Sequence, residues 1–196
     1  MSSVGELIYL VLPVIIGGVL NMVFVKASFL DNLKTPMDHG RLLKDGKRLF
    51  GENKTWKGFW GMIVLTSLSM LLLQAMAMVF DWANELSLFP FRSWSFPVDG
   101  LLYGAVWGFA YVLAELPNSY IKRRIDIAPG TNSSGFKGKV FILVDQADSV
   151  IGCVLFMPLF FTPTLIDAIA VLFLATALHL MINFLLYLVG LKSQPA

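Results

Sequence analysis

Five long apolar runs divide the chain, at residues 4–25, 58–80, 100–117, 140–161 and 164–190. Each is close to, or longer than, the roughly 20 residues a helix needs to cross the hydrocarbon core of a bilayer. The runs are too long and too uniformly apolar for the alternating strands of a membrane barrel. A lone segment in lipid must satisfy its own backbone hydrogen bonds, which an α-helix does internally. The pattern therefore predicts an all-α polytopic membrane protein with about five transmembrane helices. The first run lacks the basic n-region and small-residue cleavage pattern of a signal peptide, so it is read as a span. The length of the fifth predicts a tilt or a kink.

Two sizeable polar stretches, residues 26–57 and 118–139, separate these runs, and both are basic. In a five-span arrangement all of the 15 lysines and arginines except Arg92 fall on one side of the bilayer. Four or six spans would spoil that separation. The positive-inside rule makes this side cytoplasmic. The N-terminus is then expected outside and the C-terminus inside, in a multi-pass protein of the cell membrane whose polar loops face the cytoplasm. A hydrophobic fraction of 57% exceeds that of ordinary soluble domains, and residues 1–196 are expected to form a single membrane domain. Cys153 is the only cysteine, which rules out an internal disulfide, and no Cys/His zinc spacing is present. No internal repeat stands out, which counts against a transporter built from repeated halves.

The first polar stretch contains Glu52-Asn-Lys-Thr-Trp-Lys57. Lysine supplies point charge, and Asn and Thr supply directional donors, a combination suited to phosphates. A basic loop that only sets topology and touches anionic headgroups is the structural alternative. In the second stretch Lys122, Arg123 and Arg124 are adjacent, as a phosphate site or an interfacial anchor would require. The sharpest signal lies in the fourth run. Asp145 and Asp148 are three residues apart and share one helix face. Asp145 lies about 9 Å along the helix beyond Lys139, within apolar surroundings. Two carboxylates there repel each other and persist only with a partner: a hard cation such as Mg²⁺, or ion pairs with Lys122–Arg124. Glu115 and Asp126 fall near the same ends.

Weaker features are discounted. Gly130–Gly135 resembles the start of a phosphate loop, but Phe136 stands where the lysine must be. Asn53-Lys-Thr55 and Asn132-Ser-Ser134 fit the glycosylation pattern but sit on the expected cytoplasmic side. Gly104 and Gly108 permit close helix packing. His179 and Asn183 share a helix face, for an interhelical hydrogen bond or for a role near the pocket.

Glu52-Asn-Lys-Thr-Trp-Lys-Gly-Phe59 resembles a loop motif of the CDP-archaeol synthases. Ser119-Tyr-Ile-Lys-Arg-Arg124, followed by Pro129-Gly130 and Asp145-Gln-Ala-Asp148, is similar to their second motif and to the signature of the wider CDP-diacylglycerol synthase family. The resemblance implies a cytidylyltransferase that joins CTP to a membrane lipid phosphate with Mg²⁺, giving a CDP-lipid and pyrophosphate. It implies that Asp145 and Asp148 hold the metal, that Lys122 and Arg123 act on phosphates, and that Asn53, Lys54, Thr55, Ser119 and Arg124 bind substrate. No nucleic-acid partner is implied, and the oligomeric state stays open. An archaeal-type ether lipid is the expected substrate. Alternatives are an ester phosphatidate, a CTP-dependent polyprenol kinase, or a transporter with an intramembrane Asp pair. The departures are Asp126, which follows Ile125 instead of a lysine, and a basic stretch at 131–139 in place of a Gly-rich one.

Overall fold

In the computed structural model the described residues are 2–131, 135–191 and 194. Helix α1 spans Val4–Lys26 and α2 spans Trp56–Val79, and the short α3 covers Asp81–Glu85. Helix α4 spans Val98–Arg124, α5 spans Gly135–Phe156 and α6 spans Leu165–Leu188. Among the described residues five helices are long and apolar enough to cross a membrane, in agreement with the hydropathy pattern.

Local chemistry fixes where these helices begin. Ser3 caps α1: the Glu6 N–H donates to its hydroxyl, and the Ser3 N–H donates to the Glu6 carboxylate at 2.6 Å. This reciprocal box satisfies two donors that a helix start leaves open. The Thr55 hydroxyl accepts from the Gly58 N–H, and the Thr164 hydroxyl from the Asp167 N–H, starting α2 and α6 in the same way. Helix α5 stops at Phe156 and tightens into a 3-10 turn at Met157–Leu159, because Pro158 has no N–H to continue the ladder.

Helix α2 is central, packing against α1 on one side and α4 on the other. Helix α4 packs in turn on α5, α5 on α6, and α6 meets α1. The α2–α4 crossing is close because Gly104 and Gly108 lie on it. A Cβ at these positions would sit 2.6 Å from the Ser67 Cα and 2.8 Å from the Ile63 Cα. At the end opposite the basic segments, Phe89 is the hub of an aromatic cluster, 5.5 Å from the rings of Trp94 and Trp107 and 5.8 Å from Phe160. Leu68, Leu72, Leu155 and Phe173 are exposed along the spans, as a lipid-facing surface requires.

Two boundaries differ from the sequence expectation. The third span does not end at Pro117: α4 continues through it to Arg124. Neighbouring helices in a membrane protein accommodate the missing donor of an internal proline. Residues 118–124 are therefore helical turns, and the second polar segment is short. Second, α5 begins at Gly135, five residues before the apolar run. The small-residue segment 130–135 and the Asn132-Ser-Ser134 pattern fall largely outside the described residues, as does Lys192.

The first polar segment folds around Asp38. Its carboxylate accepts from the N–H groups of Gly40, Phe50 and Gly51 at 3.0, 3.1 and 2.9 Å, and pairs with the Arg48 guanidinium. Burial opposes the charged form, but these hydrogen bonds outweigh it and hold the Asp38 carboxyl well below the usual carboxylate range. The segment is tied to the end of α4. Arg124 donates to Asp45 at 2.6 Å and to the Arg48 carbonyl, and Lys47 bonds the Arg124 carbonyl at 2.9 Å and Asp126 at 2.7 Å.

Candidate active site

The last turns of α4 carry Glu115, Asn118, Ser119 and Lys122 at helical spacing, so they project from one face. This face meets α5 where Asp145 and Asp148 emerge. The Asn118 side-chain amide donates to Asp145 Oδ1 and to Asp148 Oδ2, both at 2.7 Å. The Lys122 ammonium grips both oxygens of Asp145, at 2.8 and 2.5 Å. From the first polar segment, Lys54 reaches in and pairs with Glu115 at 2.5 Å. Burial disfavours the Lys54 ammonium, but Glu115, Asp148 and Asp145 around it more than compensate and raise its pKa, so it stays charged at neutral pH.

Arg123 is different. It is 9% exposed, its Nε is buried without a partner, and its guanidinium makes no ion pair among the described residues. Gly51 lies directly against it, since a Cβ at that glycine would stand 2.8 Å from Arg123 Nη1. The Asn118 carbonyl oxygen is also buried and unpartnered. A guanidinium and an amide oxygen left open in a low-dielectric setting are costly unless a ligand answers them.

These groups line one cavity of about 720 Å³. Its polar end holds Asn53, Lys54, Thr55, Glu115, Asn118, Ser119, Lys122, Arg123, Asp145 and Asp148. Its other end runs between α1 and α6 past Val14, Ile15, Val171 and Ala175. The space is thus amphipathic, with room for a charged group at one end and hydrocarbon at the other.

Of the residues singled out from sequence, the structure brings Asn53, Lys54, Thr55, Ser119, Lys122, Arg123, Asp145 and Asp148 to this cavity. Thr55 also caps α2 through its hydroxyl. Arg124 is not brought there: one residue on from Arg123 is about 100° around the helix, which turns it onto Asp45 and the Arg48 carbonyl. Asp126 pairs with Lys47 in an exposed position. Lys57 is fully buried, donating to the Ala27 carbonyl at 2.6 Å and to Asp31 at 3.0 Å, so it closes the end of α1 and touches no site group.

Asn118 was missed as a site residue, although its spacing of four from Lys122 placed both on one face. Gln146 and Tyr111, also missed, line the cavity. Tyr111 lies within 3.2 Å of His179 Nε2, and the Asn183 amide donates to Gln146 Oε1 at 2.5 Å. His179 and Asn183 therefore make the expected interhelical hydrogen bonds to α5, and both line the cavity.

Apolar helices around a cavity that joins carboxylates, unpaired cationic surface and hydrocarbon define a multi-pass membrane protein built to hold an anionic amphiphile. More specifically, the model of the CDP-archaeol synthase (CarS-like) family matches residues 4–195, and the chain belongs to that family of membrane enzymes. It is 34% identical over 167 residues to the CDP-archaeol synthase of Methanoculleus marisnigri, covering 82% of this chain and 89% of that one. The CDP-archaeol synthases of Archaeoglobus fulgidus and Pyrococcus furiosus are 33% and 31% identical over the same 82% of this chain, and the match covers 84% and 83% of theirs. A solved structure described as an intramembrane enzyme for archaeal membrane lipid biosynthesis has the same fold. Its TM-score is 0.56 at 22% identity, covering 86% of this chain and 92% of that one.

Proposed function

We propose that the protein transfers the CMP group of CTP to an archaeal-type ether lipid phosphate, giving a CDP-lipid and pyrophosphate. The observation that carries this reading is the unpaired, buried Arg123 guanidinium beside the Asp145–Asp148 pair, at the polar end of a cavity whose other end is apolar. A phosphate oxygen of the lipid attacks the α-phosphorus of CTP. The bond from that phosphorus to the oxygen bridging to the β-phosphate breaks, and pyrophosphate departs. Such a transfer depends on positioning and charge neutralisation rather than on covalent catalysis.

Each residue has a role in this scheme. Arg123 presents a planar fork of donors to phosphate oxygens. Lys122 and Lys54, held by Asp145 and Glu115, turn to phosphates as these enter. Asn53, Thr55 and Ser119 supply neutral donors along the nucleotide. Asn118 keeps the two aspartates together and oriented. Asp145 and Asp148 are suited to hold Mg²⁺. The donors here are all oxygen, and no three Asp, Glu, His or Cys side chains among the described residues gather into an all-protein cage. That composition fits Mg²⁺, which takes one or two carboxylates and completes its shell with water and substrate phosphates. Bound there, the ion supplies charge neutralisation for the phosphates of both reactants. CTP reaches the basic end from the cytoplasm, and the lipid phosphate lies at headgroup depth, so the cavity mouth faces the cytoplasmic side of the cell membrane.

The test is incubation of purified protein in detergent with labelled CTP and Mg²⁺, with the ether lipid phosphate and phosphatidic acid in separate reactions. Formation of CDP-lipid and pyrophosphate, lost in Asp145→Ala, is expected. Release of CDP with phosphorylation of a lipid alcohol would instead make the protein a kinase. Substantial turnover by Asp145→Ala would remove the aspartate from the mechanism.

A further inference from the structure

Beside the charged end, on the α6 side, the cavity wall carries polar groups that the transfer itself does not use. Gln146 follows Asp145 on α5, about 100° further around the helix. The dyad therefore faces α4 while Gln146 faces α6. There the Asn183 amide donates to Gln146 Oε1 at 2.5 Å. Gln146 is 2% exposed and Asn183 7%. The backbone of this point is also fixed from α6: His179 Nδ1 lies 3.2 Å from the Gln146 carbonyl. A carbonyl only accepts, so Nδ1 carries the proton, and in a neutral imidazole Nε2 then accepts from the Tyr111 hydroxyl 3.2 Å away.

The bond between the two amides uses one N–H₂ group and one carbonyl. It leaves the Gln146 N–H₂ and the Asn183 carbonyl without a hydrogen-bond partner among the described residues; neither atom is fully enclosed, so both open on the cavity that their side chains line. Side-chain amides are assigned by their bonding, and both can be turned over together. The outcome is unchanged, since either orientation leaves one amide N–H₂ and one carbonyl open. Open amide groups on a cavity wall are met by water or by the polar atoms of a bound ligand. They lie at the depth of the dyad, on the side where the cavity turns apolar between α1 and α6. A lipid whose phosphate sits at the dyad places its oxygen-linked glycerol there, before its hydrocarbon begins.

We infer that the Gln146–Asn183 amide pair binds the glycerol oxygens of the lipid phosphate, and that it selects oxygen-linked glycerolipid phosphates over alkyl phosphates of equal length. Ether oxygens only accept, so the open N–H₂ is the group that reads them. The His179–Tyr111 contacts act indirectly, by holding the pair in register. This inference rests on the lipid-phosphate reading above.

The test compares two synthetic lipids in the CDP-lipid assay: a dialkyl glycerol phosphate with ether linkages, and its analogue with methylene groups in place of the ether oxygens. Wild type is expected to favour the diether by about tenfold in kcat/KM, the scale of one or two neutral hydrogen bonds. In Gln146→Met and in Asn183→Leu that preference should fall to within about twofold, through a higher KM for the diether, with the KM for CTP unchanged. The paired exchange Gln146→Asn with Asn183→Gln keeps one open donor and one open acceptor and should restore the preference. A merely structural role would depress both lipids equally. Equal use of the two lipids by wild type overturns the inference without any variant, and so does a rise in the KM for CTP alone, which would mean that the pair reads the base. If wild type makes no CDP-lipid from either lipid, the functional reading itself fails.

Discussion

Gly51 offers the most direct way to move Arg123 without altering its chemistry. Its φ of +101° lies beyond the left-handed region tolerated by Asn or Asp, and a residue with a side chain there costs about 1–3 kcal/mol. A Cβ at Gly51 would also stand 2.8 Å from both Arg123 Nη1 and Pro129 Cγ. That is roughly 0.6 Å short of ordinary contact, which begins at 3.4 Å. The proline ring is stiff, so the segment at Gly51 must move off it, and the guanidinium, at the end of a flexible chain, is displaced as well. In Gly51→Ala the guanidinium shifts by a large fraction of an ångström from the place where it meets phosphate. Misplacement on that scale lowers transfer rates by up to about 100-fold. The expected result is a fall of about 10- to 100-fold in kcat/KM for CTP, with a lower melting temperature. Gly46→Ala is the control. Its φ is +74° and nothing lies within 4 Å of the added methyl, so it carries backbone strain of about 1 kcal/mol and no displacement. Steady-state CTP kinetics of the two purified variants, beside their thermal unfolding in detergent, separate strain from displacement. If Gly51→Ala shows the kinetics of Gly46→Ala, Arg123 does not bear on the phosphates.

Lys57→Met removes the donor that closes the end of α1 on the Ala27 carbonyl and Asp31. It should lower stability by about 2 kcal/mol, read by thermal unfolding, with the KM for CTP unaltered. Gly104→Leu sets a side chain against the Ser67 Cα, the Met70 Cβ and the Thr66 carbonyl, all within 2.9 Å. Its effect should exceed the roughly 1–3 kcal/mol of ordinary overpacking and abolish a monodisperse peak in size-exclusion chromatography. Gly18→Ala, whose nearest neighbour is Met62 Cε at 4.0 Å, should behave as wild type. Asp38 gives the first polar segment a pH dependence. Its folded pKa is depressed, so its contribution is full above the unfolded value of about 3.9 and is lost as pH falls below that towards the folded value. Hydrogen-exchange protection of the Phe50 and Gly51 amides should be constant from neutral pH to about pH 4 and decline only below it. Loss of protection near pH 6 would contradict the assignment.

The spans were legible because hydropathy is a local property: a window of about 20 residues contains the whole signal. The Asp145–Asp148 pair was legible for a similar reason, since three-residue spacing on a helix fixes a shared face. The end of the third span was not legible because the apolar run stops at Pro117 and polar residues follow, whereas packing against its neighbours carries α4 seven residues further. The functions of individual cations were not legible. Lys57, Arg124 and Arg123 look alike in a basic segment. The first closes α1, the second ties the loop to α4, and the third is left open in the cavity. What separates them is the identity of partners far away in sequence, such as the Ala27 carbonyl, Asp45 and Gly51. Asn118 was hidden in the same way, because its role is defined by two acids on another helix.

The pairing of charges within the cavity explains how so many ionised groups coexist near lipid. A lone charge there is heavily penalised, and a pair with good geometry is not. Lys122 lies on Asp145, Lys54 on Glu115, and Asn118 bridges the two aspartates. In the proposed reaction each of these contacts would be exchanged for a contact to substrate without leaving either partner bare, the lysine turning to a phosphate as the carboxylate turns to a cation. Among the described residues Arg123 has no carboxylate to give up, so in that scheme it would receive an incoming phosphate before any pair opens. The cavity thus holds its charges in mutual balance. The sequence places these groups on two segments that meet only after folding, which is why Asp38, Arg124 and Gly51 matter to chemistry they do not touch.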